Sequence, residues 1–329
     1  MVFPRSSVRL ALLFLLCAGP WLRAQELTFL GGKMDAGQAG SSYSWQLDYR
    51  QNFFTYLAGS FAYINEGHVP GHHRDGDALQ IWGRLPFDDG KFSIGLGAGA
   101  YFFYDTQVSP LGGSADVHGT APIYSLSMTR YFSNRWYGRL MVNRILPSAQ
   151  IQSTTFALGL GYWFGRDLKP VPGKLGDAPA MKEYVTDNEL TVFGGQSVVN
   201  TFFSEQARAF ALDYRRGLAP HVDWTVTAIY EGDPQIIRRN GLATQVWAVN
   251  TFFDDKVFVG AGLGPYFFID HRHPASGQKF PAVIAPIVSF TVGRQLTEHW
   301  LARLTWDRVI TSNSRDSDIF LIGLGYRWK

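Results

Sequence analysis

The chain repeats itself. Residues 26–164 align with residues 189–328 over nearly their whole length: Leu47, Asp48, Tyr49 and Arg50 match Leu212, Asp213, Tyr214 and Arg215, and Tyr101, Phe102 and Phe103 match Tyr266, Phe267 and Phe268. One spacing separates Asp48 from Asp213, Glu66 from Glu231 and Arg74 from Arg239, and it shortens by one residue at Arg139 and Arg303. Such a chain folds either as two copies of one unit or as one larger unit with internal symmetry. Positions kept in both copies are separated, within one sequence, from positions that have diverged.

Before the first copy, Arg5 and Arg9 precede an apolar run from Leu10 to Ala18, with Ala24 ahead of a polar start at Gln25. This reads as a secretory signal peptide over residues 1–24, too short for a membrane-spanning helix. The sole cysteine, Cys17, falls inside it, so no disulfide is expected in the processed protein. Residues 25–165 and 189–329 are the two repeats. The intervening 166–188, with Pro170, Pro172, Gly173, Gly176 and Pro179, reads as a periplasmic linker. A formal net charge of only +3 gives no reason to expect a nucleic-acid surface. Nothing in the sequence calls for a cofactor.

Past residue 24 no window supplies the roughly 18 apolar residues that a membrane helix needs, so any crossing is made by strands. Each copy holds eight stretches of alternating polarity, the dyad pattern of barrel strands. In the first copy they fall at 26–32, 42–51, 54–66, 77–86, 91–105, 121–132, 136–145 and 154–164. Short links such as Asp88, Asp89 and Gly90 alternate with longer polar segments, Gly67 to Gly76 and Thr106 to Thr120. That is the arrangement of periplasmic turns and extracellular loops. Successive side chains of a strand point to opposite faces. Phe156, Leu158, Leu160 and Tyr162, with Phe320, Ile322, Leu324 and Tyr326, thus form lipid-facing rows, while Gly95, Gly97, Gly99, Gly159 and Gly161 line a small, neutral inward face. Tyr162, Trp163, Tyr326 and Trp328 suit an aromatic girdle at the membrane interface.

The closing runs Gly159, Leu160, Gly161, Tyr162, Trp163, Phe164 and Gly323, Leu324, Gly325, Tyr326, Arg327, Trp328 resemble the terminal signal of bacterial outer-membrane β-barrels. Each half is similar to the small eight-stranded barrels, the type that includes the lipid A deacylases. The resemblance implies residence in the outer membrane, contact with its lipid and lipopolysaccharide, and handling by the barrel-assembly machinery. It does not extend to a catalytic site. Those deacylases place a histidine and a serine two residues apart on the penultimate strand, where this chain has Arg139, Leu140, Met141, Val142, Asn143 and Arg303, Leu304, Thr305, Trp306, Asp307.

The shared polar residues are the candidate site. Asp48, Glu66, Gln80, Ser125, Arg139 and Asn143 recur as Asp213, Glu231, Gln245, Ser289, Arg303 and Asp307, all with inward parity. They read as an interior polar network that plugs a narrow lumen, because an unpaired buried charge would cost several kcal/mol. A solute path is the rival reading. The second candidate is the segment holding His68, His72, His73 and Arg74, with Arg239 as the retained residue of the other copy. Imidazoles beside Glu66 and Asp75 have the chemistry for a transition metal. Their spacing matches no defined site, however, so the segment reads as a solvated extracellular loop closed at its base by Glu66 and Arg74. The expected fold is therefore all-β, an internally duplicated antiparallel transmembrane barrel built as two tandem eight-stranded barrels, with a single 16-stranded barrel as the alternative. The expected role is non-enzymatic, structural or within an envelope or polysaccharide-export assembly. A channel for small solutes and a lipid A hydrolase are the alternatives.

Overall fold

The structure, a computed structural model, describes residues 25–54, 56–109, 113–132, 135–148, 150–163, 185–253, 255–273, 275–280 and 282–329. The expected signal peptide and most of the expected linker lie outside these residues. The chain divides into two compact units.

The first unit is an antiparallel barrel of β1 (Gln25–Asp35), β2 (Ser41–Phe54), β3 (Leu57–Val69), β4 (His72–Phe87), β5 (Phe92–Val108), β6 (Ser114–Tyr131), β7 (Trp136–Ile145) and β8 (Ser153–Trp163). It closes because β1 pairs on both sides: Phe29 stands opposite Leu47 of β2 and Leu160 of β8. The second unit holds β9 (Asn188–Val199), β10 (Gln206–Ala219), β11 (Val222–Tyr230), β12 (Arg238–Phe252), β13 (Val257–Arg272), β14 (Ile284–Gln295), β15 (Trp300–Val309) and β16 (Ser317–Trp328). It closes in the same way, with Val192 of β9 opposite Leu212 of β10 and Leu324 of β16. Each half thus completes its own cylinder, and the alternative of a single 16-stranded barrel is overturned. Closure leaves no strand edge, which is the condition for a sheet to sit in hydrocarbon.

The alternation of side chains sorts the two faces. Leu158 is 63% exposed on the outer wall, as are its row-mates Phe156 and Leu160, and their inward neighbours are Ala157, Gly159 and Gly161. The glycines make room for rings. A Cβ on Gly97 would stand 2.8 Å from the Trp82 ring, and one on Gly262 would stand 2.5 Å from Trp247. Two fully buried tryptophans therefore fit across the lumen only because β5 and β13 present bare backbone to them.

Three sequence expectations need correction. The segments 67–76 and 106–120 are not open loops: β3 and β4 pair until Val69 faces His72, turning at Pro70 and Gly71, and β5 and β6 pair until Val108 faces Ser114. Paired strands satisfy each other's main chain whatever their side chains, so a hairpin continues after its faces have lost their alternation. His68, His72, His73 and Arg74 are accordingly strand residues, and so is Arg239 on β12. Secondly, Trp163 does not belong to an outer girdle. It is buried inside the first barrel with Tyr131 and Tyr137. Thirdly, the inward faces are small and neutral only along the glycine rows, and the other strands bring carboxylates and guanidinium groups inside.

Candidate functional site

Both lumens are filled in tiers. The first tier lies at the end where short links join β4 to β5 and β6 to β7, the periplasmic end by the usual asymmetry of such barrels. In the first barrel Arg139, fully buried on β7, donates to Asp48 Oδ1 (2.8 Å), Thr28 Oγ1 (2.9 Å) and Thr129 Oγ1 (3.0 Å), and closely to Glu26. Glu26 also holds Arg84 at 3.0 Å and accepts from the Tyr131 hydroxyl at 2.9 Å. Arg50 lies 3.7 Å over the Trp82 ring, whose indole N–H donates to Ser60 Oγ at 2.7 Å. Three guanidinium groups thus share two carboxylates, and the rings shield them.

The second barrel rebuilds this tier with its partners rearranged, and it adds a third carboxylate, Asp223, which stands where the first copy has Ala58 and faces Arg215 at 3.3 Å. Arg303 donates to Glu189 (2.9 Å) and Asp213 (2.5 Å), Arg215 lies 4.5 Å over Trp247, and the Trp247 indole donates to Thr225 Oγ1 at 2.9 Å. The second cation on Glu189 comes from another strand. Val249 occupies the place of Arg84, and Arg327, in the place of Trp163, reaches Glu189 Oε2 at 2.8 Å and Gln295 Oε1 at 3.0 Å. Gln295 stands where the first copy has Tyr131. The charge has moved across the barrel while the carboxylate kept its partner, as expected if pairing rather than any one position is what the interior requires.

Above this tier, Gln80 donates to Ser125 Oγ (2.8 Å), Ser125 to Asn143 Oδ1 (2.7 Å), and Asn143 to Gln46 Oε1 and Thr155 Oγ1 (both 2.9 Å). In the second copy Gln245 donates to Ser289 at 2.8 Å, and Asp307 faces Ser289 in the strand register. An apolar tier follows, Ile64, Tyr101, Phe103, Ile123 and Ile145 in one barrel and Ile229, Tyr266, Ile287, Val309 and Ile319 in the other. The mouth is then closed by an ion pair: Arg74 Nε to Glu66 Oε2 at 2.5 Å with Nη2 to Oε1 at 3.0 Å, and Arg239 to Glu231 at 2.6 and 2.8 Å. Ser153 and Ser317 join these pairs, and the Tyr101 hydroxyl donates to Glu66 at 3.1 Å. These two-pronged contacts are the strong geometry for arginine and carboxylate. They close the lumen itself, not the base of a loop.

The histidines do not converge. His72 Nδ1 hydrogen-bonds Asp105 Oδ2 at 2.8 Å, whereas His68 stacks on His73 with ring centres 3.9 Å apart and meets the Tyr43 hydroxyl at 3.4 Å. Among the described residues no group of three or more His, Cys, Asp or Glu is placed to hold a metal ion.

The structure therefore gathers Asp48 and Arg139, Gln80 with Ser125 and Asn143, and Glu66 with Arg74 into one lumen, and their counterparts into the other. Sequence reasoning passed over Glu26, Arg50, Trp82, Tyr101 and Ser153. Their counterparts Glu189, Arg215, Trp247, Tyr266 and Ser317 recur with inward parity, so recurrence and parity together held the signal. Arg84 and Arg327 carried no such signal, because they occupy different strands.

No protein-family model matches the chain, and no curated protein sequence does. Among solved structures, the N-terminal β-barrel domain of Pseudomonas aeruginosa OprF overlays 43% of the chain and 98% of itself at 12% identity, with a TM-score of 0.37. The attachment invasion locus protein Ail of Yersinia pestis overlays 43% of the chain and 99% of itself at 16% identity and a TM-score of 0.32. The NanC porin covers 92% of the chain and 100% of itself at 7% identity and a TM-score of 0.22. The fold seen here is the all-β transmembrane barrel: two cylinders, each closed on itself, with an aliphatic and aromatic outer wall. The chain is a protein of the bacterial outer membrane, the setting in which closed eight-stranded barrels with such walls reside.

Proposed function

We propose that the protein is a non-conducting outer-membrane component, structural in itself or one part of an envelope assembly such as polysaccharide export, which offers its extended hairpins to partners. One observation carries this reading: in each barrel the first polar tier, the apolar tier and the mouth ion pair follow one another along the lumen, with every guanidinium group of the tiers set against a carboxylate. An eight-stranded barrel has an interior just wide enough for its own side chains. Paired charges inside it act as packing, whereas a water-filled pore would leave them to solvent. A hydrolase related to the deacylases finds no support in β7 or β15, whose inward residues are Arg139, Met141 and Asn143, and Arg303, Thr305 and Asp307. The test is current recording across planar bilayers containing the full chain. The reading expects a silent membrane, and stable ohmic steps that scale with bulk conductivity would replace it with the porin reading.

A further inference from the structure

The two outer walls differ around Ala98. On the first barrel Ile81, Ala98, Tyr124 and Arg144 form one row across β4, β5, β6 and β7, with Leu96 and Leu126 in the row below. These residues line a groove of about 500 Å³ open to the membrane. Its floor is low because Ala98 is small. The equivalent row of the second barrel reads Val246, Leu263, Val288, Arg308, so that leucine stands where the groove would be.

The cation at the head of the row also differs. Arg308 faces Asp318 at 3.4 Å and is neutralised within its own wall. Thr154 takes the place of Asp318 in the first copy, and among the described residues the Arg144 guanidinium donates only to neutral groups, Thr154 Oγ1 at 3.0 Å and Gln152 Oε1 at 2.8 Å. Arg144 follows Trp136 by eight positions along β7. A strand tilted by about 40° climbs roughly 20 Å over that length, against an apolar band about 25 Å tall. The outward residues agree, since Phe156 is the uppermost exposed apolar residue of β8 and Thr154 follows it. Arg144 thus lies at the upper border of the hydrocarbon, where a phosphate can meet it and an acyl chain can run down over Ala98.

We infer that this groove binds one phosphorylated, multiply acylated glycolipid of the outer leaflet, with a phosphate on Arg144 and an acyl chain on the floor made by Ala98. Guanidinium suits phosphate as a planar two-pronged donor. Both features must coincide for the site to exist, and the other copy differs at both, with Leu263 in the place of Ala98 and Arg308 paired to Asp318.

The test uses the full chain and two variants that copy the second barrel, Ala98→Leu to fill the groove and Thr154→Asp to neutralise Arg144, each checked for folding by its heat-shifted gel mobility. Bound lipid is counted by native mass spectrometry after exposure to bisphosphorylated lipid A, to dephosphorylated lipid A and to phosphatidylglycerol. The expected result is one retained bisphosphorylated lipid A per chain, with retention weakened about tenfold or more in either variant and in the dephosphorylated lipid. Equal retention by all three proteins would reduce the groove to ordinary wall. Equal retention of phosphatidylglycerol by the unaltered chain would overturn the assignment to a glycolipid.

Discussion

Replacing Arg139 by alanine removes one guanidinium group and leaves two carboxylates behind it. Glu26 keeps Arg84 at 3.0 Å and the Tyr131 hydroxyl at 2.9 Å, so it remains paired. Asp48 fares worse, because its other cation, Arg50, is 3.8 Å away and already engaged with the Trp82 face. Breaking a buried pair in this way costs about 3–5 kcal/mol, a hundredfold to few-thousandfold shift in the unfolding equilibrium. The assay is urea unfolding of the full chain in lipid vesicles, followed by loss of the fast-migrating folded form on gels. Adding Asp48→Asn to Arg139→Ala removes the stranded charge and should recover about half of the loss. Arg303→Ala should cost somewhat less, since Asp213 still accepts from Thr227 at 2.7 Å and Glu189 still holds Arg327 at 2.8 Å. An unchanged urea midpoint for Arg139→Ala would mean that these carboxylates are wet, and the sealed-lumen account would fail.

Three further outcomes follow from the same packing. Arg84→Val, which copies Val249, should cost about 2–4 kcal/mol in the urea assay, and adding Trp163→Arg with Tyr131→Gln should restore most of it by rebuilding the Arg327 arrangement; a triple variant weaker than the single one would contradict the relocated-charge account. Gly97→Val should lower stability by about 1–3 kcal/mol because its side chain meets the Trp82 ring, whereas Gly83→Ala, with nothing within 4 Å of its Cβ, should be neutral or stabilising by up to about 1 kcal/mol. Removing the mouth pair with Glu66→Ala and Arg74→Ala should leave planar bilayers silent, since Tyr101, Phe103, Ile123 and Ile145 still lie beneath it; ohmic steps in that variant would identify the pair as the seal.

Most of the architecture was legible because lipid imposes a strict two-residue period on the outer wall, as on β8, and because the duplication marked which inward polar residues had been kept. Two things were hidden for physical reasons. Beyond the apolar band a hairpin need not keep one face greasy, and here buried Glu66 and Arg74 sit beside Val69, so the continuation of β3 and β4 through His68 and His73 left no alternation to read. At a strand end, adjacent aromatics such as Tyr162 and Trp163 fit either face, and only the register with Glu26 put Trp163 inside. The partners of Glu26 and Glu189 were hidden differently: a charge that moves between strands is invisible to any comparison made position by position.

The central claim, that each half closes on itself, is tested most directly by cysteine pairs across the two seams, with Cys17 in the expected signal peptide as the only native thiol. Phe29→Cys with Leu160→Cys, and Val192→Cys with Leu324→Cys, join residues that face each other across β1–β8 and β9–β16. Two closed barrels predict that both pairs oxidise to intrachain disulfides detectable by peptide mass spectrometry. Disulfides forming instead between positions 160 and 192, and between 29 and 324, would mean that the strands close into one 16-stranded cylinder.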